Sequence, residues 1–254
     1  MPKTIKAIDK AVELLLCFKA NPSLGISELV NLTGMSKGTV YDLVYTLTTH
    51  GLLKQNVENK KYELGILNFE MGALYDQRNP ITKVANTIGQ NLAEKHGATI
   101  HLTTLDNAKV VYLKKYENPS ALVSYSRTGK RAPLYCTGVG KAMLAFLDKE
   151  YVDNYLQTVT LESYTPKTIV DINQLKEEID LIKLRGFSID DEEIELGLKC
   201  VAAPIFNGKG KVVGAMSISK LAPYVNESTI PELSKDIIEA TKIISNSPNL
   251  DKLF

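Results

Sequence analysis

The chain has 254 residues, 44% of them apolar and 23% charged, and its net charge is +1. This length suits two domains better than one, and the composition excludes a disordered or fibrous protein. A net charge this close to zero also excludes binding to nucleic acid through an overall basic field, so any such binding must depend on where charges are placed locally. The first 65 residues carry eight lysines and six acidic residues, and this excess of positive charge has the sign expected of an N-terminal DNA-binding module.

The N-terminal residues predict three helices. Apolar residues at helical spacing indicate the first helix over residues 4–20. Ser27 is predicted to cap a second helix that ends near residue 32, and Ser36 to cap a third that runs to His50. The apolar face of the first helix consists of Ile5, Ile8, Val12, Leu15 and Leu16.

A β-hairpin is predicted directly after the third helix, with strands at residues 52–54 and 62–64 and a polar turn at 57–61. Two helices joined by a short glycine-containing turn, then a hairpin, are typical of a winged helix-turn-helix, a fold that binds double-stranded DNA. The alternative is a small helical bundle that carries an unrelated hairpin.

The remainder predicts an α+β domain with a mostly antiparallel sheet and helices at its ends. The helix at residues 66–78 is interpreted as a linker helix, which gives a DNA-binding domain at 1–65, a linker at 66–79 and a second domain at 80–254. A hairpin turn at residues 207–210 joins the last two strands. The predicted helices after the linker are 81–95, 141–147, 172–185 and 231–245, and the predicted strands are 99–105, 110–114, 121–125, 201–206 and 211–219.

The third helix has the composition of a DNA-recognition helix. At about 100° per residue, Val40, Leu43, Val44 and Leu47 share one face and must pack inward. The opposite face is poor in charge, and its lysine, threonine and tyrosine side chains suit the base edges and phosphates of a major groove. The predicted DNA contacts also include the second helix and the hairpin tip, and they are Ser27, Ser36, Lys37, Gly38, Thr39, Tyr41, Asp42, Tyr45, Lys60 and Lys61. For the two hairpin lysines, a solvated turn is the alternative.

Seven motifs resemble the IclR family of bacterial transcription regulators, in that family's order and spacing over nearly the whole chain. The longest is RAPLYCTGVGKAMLA at residues 131–145. The resemblance implies a sequence-specific DNA-binding regulator, a repressor, in which a linker helix joins the winged helix-turn-helix to a GAF-like effector-binding domain. The other motifs are residues 8–11, 25–29, 34–40, 185–193, 197–205 and 214–219.

One position departs from the family pattern. The family often has an arginine where this chain has Asp42, and the first 65 residues contain no arginine. A carboxylate at Asp42 repels phosphate but can accept a hydrogen bond from cytosine N4. We therefore expect an operator that differs from the family's common sites.

The resemblance also implies an effector pocket in the second domain. Ser217 and Ser219 are two apart on a strand and so share a face, which indicates a polar pocket. Thr137 can cap a helix whose N–H groups at residues 138–140 suit a small carboxylate. The positions implied by the resemblance are Ala132, Gly138, Val139, Asp190, Leu198, Cys200, Ser217 and Ser219. Asp190 capping a turn, Cys200 in the core and serines bonded to backbone are the alternatives.

The partners expected are operator DNA, a small carboxylate effector and further copies of the chain. Two half-sites about one helical turn apart need a two-fold protein, so we expect a dimer through the N-terminal region and the linker helix. Pairing of dimers to a tetramer through the second domain is implied by the resemblance.

Catalysis, cofactors and membrane contact are not expected. The only histidines, His50, His96 and His101, belong to no nucleophile elbow or metal-spaced cluster, so we expect neither an enzyme nor a metal site. The three cysteines form no CxxC pair, and no signal-peptide core or apolar run of ~20 residues is present, which indicates a cytoplasmic protein with reduced thiols. The remaining alternative is a DNA-binding architectural module whose second domain is structural only.

Overall fold

The computed structural model describes residues 3–118, 126–248 and 250. The chain forms two compact units, Met1–Arg78 and Asn79–Phe254. The predicted strand at residues 121–125 lies outside the described residues. In the part that is described, no helix has the length and apolar character needed to cross a membrane.

The described part of the first unit contains four α-helices and a two-stranded hairpin. The helices are α1 (Lys6–Leu16), α2 (Ile26–Thr33), α3 (Lys37–Thr49) and α4 (Ile66–Arg78). The strands β1 (Leu53–Gln55) and β2 (Tyr62–Leu64) pair antiparallel, and Leu24 forms an isolated bridge to Tyr62. This arrangement confirms the predicted winged helix-turn-helix.

The core of this unit lies between the first three helices and the hairpin. Val40, Val44 and Leu47 of α3 are buried, as the helical spacing predicted, in a cluster that includes Leu14 and Leu29. The first helix is shorter than predicted, since it ends at Leu16 and a 3₁₀ turn follows over Cys17–Lys19.

Helix capping differs between α2 and α3. Ser36 caps α3 as predicted, because the Thr39 N–H donates to Ser36 Oγ over 3.2 Å. The predicted cap at Ser27 is wrong. The second helix begins one residue before Ser27, so its cap position is Gly25. The Gly25 N–H donates to Glu28 Oε2 over 2.6 Å, so a glutamate side chain three residues after the cap satisfies the amide of the cap residue.

Two helices of the first unit present apolar side chains to solvent. Leu14 is the buried residue of α1, whereas α4 has none. The exposed apolar residues are Ile5, Ile8, Val12 and Leu16 at α1, and Ile66, Phe69, Met71, Leu74 and Tyr75 on α4.

The second unit is built on a six-stranded sheet in which all neighbouring strands are antiparallel. In order across the sheet the strands are β5 (Arg131–Pro133), β4 (Lys109–Glu117), β3 (Thr99–Asp106), β8 (Val212–Leu221), β7 (Leu198–Phe206) and β6 (Ser188–Asp191). The helices are α5 (Pro80–His96), α6 (Gly138–Leu144), α7 (Lys149–Thr158), α8 (Ile172–Arg185) and α9 (Ile230–Ser245). The α+β prediction is confirmed.

Helices cover both faces of this sheet. One face packs against α5 and α9, and Met216 and Ile218 belong to that core. The other face packs against α6, with Ala202 and Ala215 in its core. Because side chains alternate along a strand, Ser217 and Ser219 share one face, as predicted, and that face is the α6 side.

The helix α6 begins three residues before the predicted helix at 141–147. The pattern indicated a loop at Gly138 and Gly140 because glycine is a poor helix former. In the structure Thr137 caps the helix, as predicted, by accepting a hydrogen bond from the Gly140 N–H over 3.1 Å. A Cβ at Gly140 would lie 2.4 Å from the Leu134 carbonyl oxygen, so this close approach requires glycine.

Three short elements were missed by the sequence analysis. Strand β6 escaped because its buried residues, Ser188 and Asp190, are polar and so defeat a search for alternating apolar residues. Strand β5 spans three residues and α7 buries three side chains, which leaves little periodicity to detect.

Candidate functional site

The outer face of α3 is a solvent-exposed surface of mixed polar residues. Lys37, Gly38 and Asp42 are exposed, and the tyrosines Tyr41 and Tyr45 are 58% and 67% exposed. A Cβ at Gly38 would meet nothing within 4 Å, so packing within the unit does not require glycine there.

The start of α3 is ordered by two hydroxyls. Ser36 Oγ lies 2.9 Å from Thr39 Oγ1 in addition to capping the Thr39 amide. This contact orients Thr39 beside Lys37 at the helix N-terminus, where unpaired backbone N–H groups favour an anion.

The two hairpin lysines differ in their surroundings. Lys60 is exposed at the turn with a φ of 58°. The Lys61 ammonium lies 2.9 Å from Glu28 Oε1. The hydrogen bond from the Gly25 N–H and the Lys61 ammonium together hold the pKa of Glu28 below its usual range. Lys61 therefore ties the hairpin to α2, which the sequence spacing did not reveal.

A cavity of about 390 Å³ lies on the α6 side of the sheet in the second unit. Seven of the eight residues implied by the family resemblance line its wall, and Ser219 lies just behind it. Those seven are Ala132, Gly138, Val139, Asp190, Leu198, Cys200 and Ser217. The cavity therefore brings together residues from strands β5 to β8 and the start of α6.

Asp190 is the buried carboxyl group of this cavity. It is 1% exposed, and its Oδ1 accepts a hydrogen bond from the Glu193 N–H over 2.8 Å. Burial raises the pKa of Asp190 to about 7, although amide hydrogen bonds from Glu193 and Gly138 oppose the rise. Asp190 is thus poised between its neutral and ionised forms near neutral pH.

Two of the three successive amides predicted to hold an anion already have partners in the structure. The Gly140 N–H is used by Thr137, and the Gly138 amide already donates toward Asp190. A Cβ added to Gly138 would lie 3.3 Å from the Cys200 Cβ, so the start of α6 packs closely on the sheet.

Two basic side chains lie on the same wall. Lys130 and Arg131 line the cavity, and neither was predicted as a site residue. Burial lowers the pKa of Lys130, and Glu195 partly offsets this. Arg131 also pairs with Asp106. Arg131 is the first residue of the motif at residues 131–145 and Lys130 immediately precedes it, which was the available signal.

His101 lies at another part of the wall, inside a hydrogen-bonded cluster. Its Nε2 lies 2.6 Å from Ser126 Oγ, and its Nδ1 lies 3.3 Å from Ser217 Oγ and 3.2 Å from Ser219 Oγ. The Ser219 hydroxyl donates to Cys200 Sγ over 3.1 Å. These contacts agree with the expectation that Ser217 and Ser219 lie on the same polar face of the sheet. His101 was not predicted to take part.

A buried ion-pair cluster adjoins the cavity. Lys141 is 1% exposed and pairs with Glu193 and, at 3.5 Å, with Glu178. Glu178 in turn accepts from Arg185 at 2.8 Å. Since the Glu193 amide holds Asp190, this cluster fixes the cavity wall to α6 and α8.

Comparison with known proteins covers both units. Residues 7–57 match the IclR helix-turn-helix domain, and residues 73–246 match the bacterial transcriptional regulator IclR C-terminal family. The HTH-type transcriptional regulator XynR of Escherichia coli K12 is 31% identical over 96% of this chain and 97% of XynR.

Solved structures share the fold. The crystal structure of the Thermotoga maritima IclR has a TM-score of 0.78 and 32% identity, over 95% of this chain and 98% of that one. An IclR homologue from Microbacterium hydrocarbonoxydans, complexed with 4-hydroxybenzoate, has a TM-score of 0.83 and 20% identity, over 94% and 97% of the two chains. The chain belongs to the IclR family and is a DNA-binding transcription regulator with a winged helix-turn-helix and an IclR-type C-terminal domain.

Proposed function

We propose that this regulator is a repressor whose occupancy of operator DNA is controlled by a small organic acid bound in the second unit. The cavity of about 390 Å³ carries the proposal, because its volume is that of a small-molecule site and its wall combines apolar, basic and hydroxyl groups. A dimer seated on an operator that overlaps a promoter represses by excluding polymerase from the same DNA.

For DNA, we place α3 in the major groove. Lys37 and Thr39 then contact base edges, and the exposed tyrosines Tyr41 and Tyr45 bond to phosphates. Asp42 accepts from a cytosine. Ser36, Gly38 and the exposed Ser27 lie where the helix starts approach the backbone, Lys60 contacts phosphate from the hairpin, and Lys61 acts by holding the hairpin through Glu28.

For self-association, we propose a dimer of the first unit through the exposed apolar residues of α1 and α4. Ile8 and Phe69 are 57% and 72% exposed, and a helix such as α4 that buries none of its own side chains is stable when a second copy covers it. Two copies supply the two-fold symmetry that paired half-sites require. Pairing of dimers through the second unit completes the tetramer.

For the effector, the carboxylate binds at Lys130 and Arg131, away from Asp190. The apolar wall of Ala132, Val139 and Leu198 limits its size, and Ser217 supplies a hydrogen bond. Binding changes DNA affinity only to the extent that the acid prefers one packing of the second units over the other. The buried Lys141 cluster holds the cavity wall in one arrangement.

A thermal-shift screen of small aliphatic and aromatic acids tests this proposal. Acids that bind the native state raise the midpoint of unfolding, and they should also release the protein from its own upstream DNA in a gel shift. An Arg131→Gln variant should lose the thermal response, whereas Arg127→Gln, an exposed arginine outside the cavity, should keep it. DNA binding without any acid response would instead favour the architectural module.

A further inference from the structure

His101 is the least expected residue of the cavity wall. It is 4% exposed, and both ring nitrogens have hydroxyl partners. Its ring packs edge-on against Tyr112 with centroids 5.2 Å apart. A buried histidine with such complete contacts has a fixed orientation, so it presents fixed hydrogen-bonding groups.

The imidazole is uncharged. Burial lowers the pKa of His101 to about 3, and the positive charge of Lys115 on the neighbouring strand acts in the same direction. The other titratable groups that line the cavity as a whole are Tyr112, Lys130, Arg131, Tyr164, Asp190, Glu195 and Cys200. A neutral imidazole has no charge to offer a carboxylate, so what His101 recognises depends on which ring nitrogen carries the proton.

The direction of the hydrogen bonds follows from the proton of Ser219. That hydroxyl donates to Cys200 Sγ, and a serine hydroxyl has one proton, so toward His101 it can only accept. Nδ1 of His101 therefore carries the proton. Nε2 is then the acceptor, and Ser126 donates to it over 2.6 Å.

The Ser217 proton can point to Ser219 or to the cavity. The Ser217 oxygen lies 3.3 Å from the protonated Nδ1 of His101 and can accept there, and it lies 3.5 Å from Ser219 Oγ. Because that second contact is long for a hydrogen bond between hydroxyls, a ligand in the cavity can take the Ser217 proton instead. This part of the wall thus offers one acceptor, Nε2 once the Ser126 hydroxyl is displaced, and one donor, Ser217. An alcohol or phenol hydroxyl can donate its proton to Nε2 and accept a hydrogen bond from Ser217, so it satisfies both groups.

The basic part of the wall lies well away from this point. His101 pairs with Lys115 of β4, and Arg131 pairs with Val111 of the same strand. These positions are two strands apart across the sheet and four residues apart along it, on the order of 15 Å between backbones at about 3.3 Å per residue and about 4.8 Å per strand. A ligand can therefore place its carboxylate and its hydroxyl at opposite ends of the cavity.

We propose that His101 is a ligand-binding residue that selects hydroxylated acids, its neutral Nε2 accepting the effector hydroxyl while Ser217 donates to the same oxygen. This rests on the proposed acid-binding function of the cavity. It assigns specificity to a residue that the family resemblance did not include, and it separates recognition of the hydroxyl from recognition of the carboxylate.

The tautomer is tested without any ligand, by ¹⁵N NMR of the full-length protein from about pH 5 to about pH 8, the window in which an ordinary histidine titrates. Nδ1 should remain protonated and Nε2 unprotonated throughout, with the signals assigned by their loss in His101→Gln. A His101 that titrates in this window, or that carries its proton on Nε2, overturns the proposal.

Selectivity is tested with pairs of acids that differ by one hydroxyl: lactate and propionate, 3-hydroxybutyrate and butyrate, 4-hydroxybenzoate and benzoate. Thermal shift and calorimetry should find at least one hydroxylated acid that binds about tenfold more tightly than its partner. His101→Phe, which keeps the ring contact with Tyr112, should erase that ratio and leave the weaker acid unchanged. His101→Gln retains an acceptor and should keep part of the ratio, and the control His50→Gln, outside the second unit, should keep all of it.

The failures of the two proposals are distinguishable. Acids that bind without a preference for the hydroxyl, or a preference that survives in His101→Phe, overturn the role of His101 and leave the acid sensor standing. If no acid of the set binds at millimolar concentration, the sensor proposal fails together with it.

Discussion

The Lys61 ammonium lies 2.9 Å from one carboxylate oxygen of Glu28, and the other oxygen of Glu28 accepts a hydrogen bond from the Gly25 amide. One glutamate therefore fixes both the start of α2 and the base of the hairpin. Since exposed ion pairs of this kind contribute little to stability, the effect of Glu28 is on the position of the hairpin more than on the free energy of unfolding.

Neighbouring lysines at the hairpin should therefore behave differently. Lys60→Ala should weaken binding to operator and random DNA alike and reduce the slope of log affinity against log salt by about 1, because one phosphate contact is lost. Lys61→Ala should lower operator affinity with a smaller change in slope, since its charge is shared with Glu28. Fluorescence anisotropy at several salt concentrations measures both, and equal slope changes for the two variants would contradict the assignment.

Lys37 and Thr39 should carry sequence recognition. Lys37→Ala and Thr39→Ala should each weaken operator binding by about 1–3 kcal/mol, with smaller effects on random DNA, because base contacts are lost. Thr49→Ala is the matched control, because Thr49 is exposed at the other end of α3 and its hydroxyl bonds to the Tyr45 carbonyl. A control that weakens binding as much as Thr39→Ala would show that α3 is docked differently.

The fold could be predicted further than the site. The winged helix-turn-helix and the antiparallel sheet follow from the local periodicity of apolar residues. The alternation of side chains along the last strand predicted that Ser217 and Ser219 share a face, which is the cavity side. The pairing of His101 with Ser217 joins strands that lie more than a hundred residues apart, and a single sequence contains no signal for such a register. The Gly140 amide was expected to be open to a ligand, but it donates to the predicted cap residue Thr137, and the choice of amide depends on backbone geometry that a single sequence does not show.

Asp190 should make stability depend on pH. Its pKa in the folded protein is about 7, above the ordinary value of 3.8, so between about pH 4 and pH 7 the folded state holds a proton that the unfolded chain releases. Stability should therefore fall as pH rises through this window and stay low above it. Asp190→Asn, which keeps an acceptor for the Glu193 amide, should be more stable at pH 8 by roughly 4 kcal/mol at most.

Urea unfolding of wild type and Asp190→Asn at several pH values measures this difference. Asp191→Asn is the control, because that exposed carboxylate pairs with Lys199 at 2.8 Å and its removal should not stabilise the protein at high pH. Identical pH profiles for wild type and Asp190→Asn would show that Asp190 is ionised throughout.

The buried Lys141 should be costly to replace. Lys141→Met leaves Glu193 and Glu178 without their shared cation, and breaking a buried pair in this way typically costs about 3–5 kcal/mol. The double variant Lys141→Met with Glu193→Gln should recover part of that loss. Lys149→Met, at the exposed start of α7, should change stability by less than about 0.5 kcal/mol. Equal free energies of unfolding in urea for Lys141→Met and Lys149→Met would show that the ion pairs of Lys141 do not form in solution.

Occupancy of the cavity should control DNA binding, and the most direct measurement is the operator affinity with and without the acid identified by thermal shift. Anisotropy with labelled upstream DNA should show that the acid weakens operator binding of the wild type by about 5–150-fold, the usual range of coupling between two sites. The variant with Ser217→Ala and Ser219→Ala should bind operator normally without acid and should need about tenfold more acid for the same response, because one hydrogen bond to the ligand is lost. A normal response in that double variant, or acid binding that leaves the operator affinity of the wild type unchanged, would contradict the account.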